Sequence, residues 1–353
     1  MSATLDAATL RRLVAAVFAA SGSEADEAAA LADHLVEADL VSHASHGVIR
    51  VAKYLDWLRH GQVRANRHAS MVDERGPILV VDGDLGYGQI IAREAMGLAA
   101  AAAHRHGIAV TAIRNTGHLG RIGAWPEQLA ASGLVSLHLV NTSGFGILVA
   151  PFGGSDRRLS ANPIAAGVLV AGGAPLILDI ATSAIAEGKI QVARNKGAAL
   201  PEGVVIDGAG RPTTDPEAFY GSPPGVIFPF GGHKGSGLSL FCEVLAGALT
   251  GGGSSHPANA SAGSLVNNML TLAFDPAAFA GESAFAADIA RLVDWVRASP
   301  PIEAGGAVLL PGELEHRTRA ERERGGIPLD DETLRQLAGA AGSVGVALPA
   351  GWG

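Results

Sequence analysis

Apolar stripes at helical spacing open the chain. Leu10, Leu13, Val14 and Val17 lie 3, 1 and 3 residues apart, on one face of a helix that Ser2 or Asp6 can cap. A second helix is predicted over about 24–40, starting at Ser23 with acids in its first turn. A third begins near Ser45 and stops at Gly61, with Val48, Val51, Leu55 and Leu58 on its buried face. Residues 1–75 therefore read as helical. From about 76 the period changes. PILVVDGD reads as a strand and turn, GQIIAREAMGLAAAAAHRHG as a helix closed by Gly107, and IAVTAIRN as a strand. A helix holding Trp125 to Ala131, with Pro126 in its first turn, precedes the strands VSLHLVN and PLILDIA. Further helices are predicted from Ser183 to Asn195, from Gly235 to Thr250, over about 283–298 and over about 330–341. MLTLAFDP reads as a strand, and 251–263, GGGSSHPANASAG, as a loop.

Composition narrows the class. Of 353 residues, 48% are hydrophobic and 17% charged, a balance that supports a large core and argues against disorder. The 47 glycines follow no G-x-y period, so they serve turns and close backbone approach. A net charge of −8 without a Lys/Arg run of five argues against nucleic acid as a partner. No apolar run reaches 18 residues, so no membrane partner is expected. The single cysteine, Cys242, cannot form an intrachain disulfide and fits a reducing compartment. A soluble, cytoplasmic protein is expected. No carboxylate or cysteine joins the histidine pairs His43/His46 or His104/His106 in a convincing set, so no metal site is expected.

Four segments carry candidate chemistry. On a continuous helix His46 and Arg50 would share a face, and an arginine fork beside a histidine suits a small carboxylate. The same spacing also suits a solvated helix face. His118, in Asn115-Thr-Gly-His-Leu-Gly120, follows a strand end, where α/β proteins place ligands, and a histidine is a natural acid/base for carbonyl/alcohol interconversion. It could equally be a turn histidine paired with backbone. Asp179-Ile-Ala-Thr182-Ser183 ends a strand, with Thr182 or Ser183 a plausible helix cap. His233-Lys234-Gly235 opens a helix, where a lysine opposes the dipole and so suggests an anion site. Neither G-x-G-x-x-G nor a Walker A loop is present.

Taken together, SHASHGVIRVAKYL, RNTGHLGRIG, SANPIA, LDIATSAIAEGKIQVARNKG, GGHKGSGLSLFCEVLAGALTGG and LLPGELEHRTRAERERGGIPL resemble the malate/L-lactate dehydrogenase-like oxidoreductase family. They are most similar to its hydroxycarboxylate dehydrogenase B branch. The family also holds ureidoglycolate and sulfolactate dehydrogenases and cyclic-imine carboxylate reductases. The resemblance implies an α/β fold with a non-Rossmann NAD(P)-binding domain built on a mixed sheet, residues 76–274. It implies a largely helical domain formed by both chain ends, 1–75 with 275–353. It also implies a homodimer that uses NAD or NADP to interconvert small-molecule 2-oxo and 2-hydroxy acids.

Residue by residue, the resemblance makes His118 the proton donor/acceptor, with His46 and Arg50 beside cofactor and substrate and Ser45 adjoining. Asn141 falls in the Asn141-Thr-Ser143-Gly144 stretch, where members vary with substrate, and is expected to contact it. Cofactor contacts are expected from His46, from Gly120, Arg121 and Ile122, and from Asp179, Ile180, Ala181, Thr182 and Ser183. His233, Lys234, Asn267, Gly312 and Glu313 complete that set.

Overall fold

A computed structural model describes residues 2–259, 264–303, 305–349 and 352. The chain opens with a short strand β1 (Ser2–Leu5), then helices α1 (Ala7–Ala20) and α2 (Ala25–Leu40). Asp6 takes the first cap, accepting from the Thr9 N–H at 2.8 Å. A 3-10 turn (Ala44–His46) follows, then α3 (Arg50–Arg59). The leading segment is not wholly helical, because β2 (Ser70–Arg75) closes it and β1 opens it. The middle of the chain runs β3 (Ile78–Asp82), α4 (Gly88–His106), β4 (Ile108–Thr116), α5 (Ala124–Ala131), β5 (Val135–Gly144), β6 (Ile164–Val168) and β7 (Leu176–Ile180). Next come α6 (Glu187–Lys196), β8 (Val205–Ile206), β9 (Pro212–Thr213), α7 (Pro216–Phe219), β10 (Val226–Ile227) and α8 (His233–Cys242), which runs on as a π-helical segment over Glu243–Ala248. The chain ends with β11 (Leu265–Phe274), α9 (Glu282–Arg297), α10 (Glu313–Gly325), β12 (Ile327–Asp330) and α11 (Asp331–Ser343).

Seven strands form one mixed sheet in the order β2-β3-β4-β11-β5-β6-β7. Among the described residues of this sheet, β3 and β4 are the strands that pair in parallel; α4 supplies their crossover, and Gly107 at φ +79° ends that helix. β11 lies between β4 and β5 and pairs antiparallel with both. The fold is thus α/β with a mixed sheet, as the resemblance implied. A three-stranded sheet, β10-β8-β9, stands apart over its own core of Val149, Ile190, Leu200, Phe219 and Ile227.

Two larger cores meet at α4. Leu10, Val14, Phe18, Leu31, Leu35, Val51, Tyr54 and Leu55 from the leading helices pack with Ile327, Leu334 and Leu337 from the chain's end. β1 and β12 pair antiparallel across the same core. The sheet core gathers Leu79, Val81, Ile113, Val140 and Met269 beneath Ile91, Ala95, Met96 and Leu129. Neighbouring α4 residues serve different cores: Ile90 joins the helical one and Ile91 the sheet.

The predicted helix starting at Ser183 is corrected. α6 begins at Glu187 after Ala186, and Ser183 instead bridges Pro229 in extended conformation. Residues 260–263 of the predicted loop lie outside the described residues. Among the described residues no helix is long and apolar enough to cross a membrane.

Phe18 is fully buried and packs edge-on to Tyr87 with centroids 5.7 Å apart, and beside Tyr54 at 6.4 Å. Phe18→Ala is expected to lower unfolding free energy by about 3–5 kcal/mol, read from urea denaturation. A loss below about 1 kcal/mol would show that this core does not bear on the site it supports.

Candidate active site

The turn after β4 is pinned from two sides. Gly83 N–H donates to Arg114 O at 2.9 Å, Leu85 N–H to Asn115 O at 2.7 Å and Gly117 N–H to Gly86 O at 2.8 Å. Asp84, Leu85 and Asn115 hold positive φ of 44°, 56° and 54°, strain that these bonds sustain. Where α4 starts, a Cβ on Gly88 would lie 2.5 Å from the carbonyl oxygens of Gly117 and His118, so only glycine lets the helix pack this close. The result is a His118 backbone fixed against two elements.

Its ring is fixed as well. His118 Nδ1 lies 2.7 Å from the Tyr54 hydroxyl and accepts from Gly120 N–H at 3.2 Å. The Gln89 amide donates to the Tyr54 oxygen at 2.7 Å, which leaves the tyrosine O–H to donate to Nδ1. With Nδ1 an acceptor, the neutral ring carries its proton on Nε2. His46 stacks on this ring with centroids 5.4 Å apart and planes 15° apart. Ser45 Oγ sits 3.0 Å from His46 Nδ1, and Arg50 Nε donates to Ser45 O at 2.5 Å.

The sequence brought His46 and Arg50 together for a reason that the structure corrects. They do not share one helix: His46 ends a 3-10 turn, Gly47 is extended, and α3 starts at Arg50. They meet because the turn folds back onto the helix start. Gly188 in the first turn of α6 closes over the same place, and a Cβ there would come 2.7 Å from that of Ser45.

Burial and neighbouring cations keep these imidazoles neutral. Desolvation first, and the Arg50 charge second, hold both His46 and His118 well below 6.5. His34, stacked on Trp125 at 5.1 Å, accepts the Arg121 N–H at 3.0 Å, and burial lowers it to about 3. A half-buried cationic centre with uncharged rings suits a carboxylate and a proton-transfer group together.

The remaining expected residues converge on β7 and the extended chain that continues it. Gly123 N–H donates to Asp179 Oδ2 at 2.8 Å, and burial raises the Asp179 carboxyl. Ile177 N–H donates to Pro311 O at 3.1 Å, and Gly312, at φ +90°, lies against Ile177. Thr182 O accepts the Phe230 N–H at 3.0 Å, and a Cβ on Gly235 would come 2.7 Å from that same oxygen. Ile180 and Ala181 are half-buried, Gly120 and Ile122 are buried, and His233 and Lys234 are exposed at the start of α8.

Several of these side chains are already engaged. Arg121 is buried and paired with Glu127; Thr182 Oγ1 donates to Ala161 O and Ser183 Oγ to Ile185 O. Glu313 accepts from Leu310 N–H at 2.8 Å and from Arg297 at 2.7 Å. Asn267 Oδ1 accepts the Leu119 N–H at 3.0 Å, steadying the residue after His118.

Asn141 is not brought to the histidines. It is fully buried, and its amide donates to Glu243 at 2.9 Å and to Gly253 O at 3.0 Å, while its oxygen accepts from Asn268 at 3.0 Å. Glu243 also accepts from Asn162 at 2.7 Å and from Ser255 N–H at 2.8 Å, so the network ties the 251–255 segment to the sheet. Sequence reading missed Tyr54 and Gln89. The available signal was Tyr54, one helical turn after Arg50.

Residues 5–338 match the malate/L-lactate dehydrogenase family. The chain belongs to that family. It is 43% identical over 343 residues to hydroxycarboxylate dehydrogenase B of Escherichia coli K12, covering 97% of this chain and 94% of that one. It is 37% identical over 340 residues to an L-lactate dehydrogenase of Cupriavidus necator, covering 96% and 97%. A solved Escherichia coli structure of the malate/lactate dehydrogenase kind superposes with a TM-score of 0.93 at 42% identity, covering 98% of this chain and 96% of that one.

Tyr54→Phe keeps the ring packing but leaves the Gln89 amide and His118 Nδ1 without the hydroxyl. The expected loss in unfolding free energy is about 1–3 kcal/mol. Nitrogen-15 NMR of the His118 ring should show an unprotonated Nδ1 in the wild type and a mixture of tautomers in the variant. An Nδ1-protonated wild-type ring would overturn the donor assignment.

Proposed function

We propose that the protein transfers a hydride reversibly between a nicotinamide cofactor, NAD or NADP, and a 2-oxo acid/2-hydroxy acid pair. The observation that carries this reading is the stack of neutral His118 on His46 beside Arg50. It unites a proton-transfer group and a carboxylate anchor, the two functions the reaction requires of a protein.

The chain's own groups fit such a cofactor. The half-buried Ile180 and Ala181 offer apolar surface, Gly120 and Gly312 offer close backbone approach, and Lys234 is a cation in the first turn of α8. Asp179 to Ser183, Gly120 to Ile122, His233, Lys234, Gly312 and Glu313 are the segments that would hold it, chiefly through backbone. Asn267 contributes by holding the turn after His118. When bound, the nicotinamide supplies or takes the hydride at the substrate's C2.

Arg50 holds the substrate carboxylate, with Ser45 beside it. In reduction His118, having taken a proton from solvent, gives its Nε2 proton to the oxygen as the alkoxide forms and is left neutral, with Nδ1–H donating to the Tyr54 oxygen. In the reverse direction the neutral ring takes the alcohol's proton on Nε2 while Nδ1–H donates to Tyr54, whose hydroxyl turns to Gln89. The Gln89 oxygen, buried and lacking a hydrogen-bond partner, is the acceptor available for that turn. His46 orients the ring it stacks upon. Pre-set positions and a desolvated positive centre supply most of the rate. The exposed Leu240, Phe241, Val244 and Leu249 along α8 and its π-helical extension supply apolar surface of the kind a homodimer buries.

NADH and NADPH oxidation followed at 340 nm against 2-oxo acids and cyclic imine carboxylates tests the reading. Turnover with an oxo acid is expected; turnover with imines alone would replace it with amine formation. His118→Ala is expected to lower kcat by roughly 10²–10⁴-fold with folding intact. Arg50→Lys should raise KM for the acid about tenfold or more, because an ammonium cannot reproduce the bidentate fork. Near-wild-type values in either variant would remove that residue from its role.

The lowered His118 pKa also fixes a pH dependence. The free protein keeps the ring neutral as pH falls through 6.5, so kcat/KM for hydroxy-acid oxidation should hold level there and decline only well below 6.5. A decline centred at 6.5 or above would show an ordinary solvated histidine instead.

A further inference from the structure

We propose that Asp39 is a positioning residue for this site: its carboxyl group, reaching across from α2, seats the Gly47–Val48 backbone and so fixes His46 relative to Arg50 and Tyr54. The inference rests on the proposed reaction for its functional half and on geometry alone for its structural half.

Asp39 lies at the end of α2 and is 2% exposed. Its Oδ2 accepts the Val48 N–H at 2.8 Å. Val48 precedes Ile49, the residue at the N-cap of α3, which supplies no side-chain cap. The aspartate therefore caps the α3 entrance from another helix, which a local sequence pattern cannot announce. On the other side of this bond stands Gly47. A Cβ there would lie 2.2–2.3 Å from the Asp39 carboxyl atoms. Gly47 has φ −87°, so its glycine is needed for room rather than for backbone freedom.

The two contacts act on Gly47 and Val48, two of the three residues that separate His46 from α3. His46 directly precedes Gly47, while Arg50 and Tyr54 ride on the helix that Val48 introduces. A shift of this seat would move the stacked imidazole and the arginine by different amounts. The seat is braced from the chain's far end. Arg322 of α10 donates to the Asp39 carbonyl and, at 3.3 Å, to Ser42 Oγ, and Ser42 holds a positive φ of 66°. Arg322 and Asp330 are the charges acting on the carboxyl from α10 and β12. Burial raises it to about 7, so near neutrality the seat requires an acceptor oxygen more than a full negative charge.

That distinction sets the test. Asp39→Asn keeps an oxygen for the Val48 N–H, whereas Asp39→Ala removes it. Hydrogen exchange by mass spectrometry on the full chain should show the 44–51 segment exchanging about tenfold or more faster in Asp39→Ala, with α4 and the sheet unchanged. Asp39→Asn should restore most of the protection. In turnover with the 2-oxo acid found to be a substrate, Asp39→Ala should raise KM about tenfold and lower kcat about tenfold, with Asp39→Asn recovering most of both. Dinucleotide Kd, to which the segments around β7 contribute alongside His46, should move clearly less than KM for the acid, which a general loosening of the fold would not allow.

Gly47→Ala should impair the wild type yet add little in the Asp39→Ala background, where the added methyl has room. Unchanged exchange in Asp39→Ala overturns the proposal whatever the activity. Faster exchange with unchanged KM and kcat overturns its functional half. If the wild type turns over no substrate while the exchange result holds, the reaction reading fails and the seat stands.

Discussion

The hydrogen-bonded line from Gln89 through Tyr54 to His118 is the joint on which the rest of the molecule depends. Tyr54 belongs to the helical core, Gln89 opens the helix that both cores share, and His118 ends the turn after β4. Each group is polar and largely removed from water, so each must find its partner in another element or leave a costly orphan. The bonds therefore set helix against sheet at one register. Ile90 and Ile91, facing opposite cores, tighten the same joint with apolar contacts. His118 thus inherits the rigidity of both cores although its backbone lies in the turn after β4.

Electrostatics follow from this placement. His46 and His118 are pushed well below 6.5 by desolvation and by the Arg50 guanidinium. The centre is thus positive without relying on protonated histidine. On the proposed reaction, an incoming carboxylate meets one fixed cation and two neutral rings. Had the imidazoles been solvated, part of their population would be cationic near neutrality and the acid/base role would be shared with simple charge attraction.

Local periodicity made most elements legible, including α1, α4, β4, β5 and α11, because each buries one continuous stripe or run. β2 was hidden because SMVDER is an exposed edge strand with little apolar alternation, and β6 because Ile-Ala-Ala-Gly-Val is short and mostly small. His118, His46 and Arg50 were visible as chemistry-bearing residues among glycines. Tyr54, Gln89 and Asp39 were not, since a tyrosine, a glutamine or an aspartate inside a helix ordinarily packs or faces water. What distinguishes them is a partner 64, 35 or 9 residues away. Long-range pairing of that kind leaves no mark on spacing.

On the proposed reading, the engaged side chains around β7 leave chiefly backbone to meet a dinucleotide, and no glycine-rich fingerprint is present. Arg121, Thr182, Ser183 and Glu313 spend their polar atoms on the protein itself, on Glu127, Ala161, Ile185 and Leu310. In a Rossmann unit one loop brings its backbone to a dinucleotide, so the glycines cluster in sequence. Here Gly120, Gly235 and Gly312 come from different parts of the chain: Gly235 lies against Thr182 and Gly312 against Ile177, while Gly120 lies against His34 and Gln89. The same reasoning bears on Asn141. Its amide is consumed by Glu243, Gly253 and Asn268, so variation at this position acts first on the 251–255 segment that the network anchors. On the proposed reaction, substrate preference would change by moving that segment, while Arg50, His46 and His118 stay where the two cores hold them.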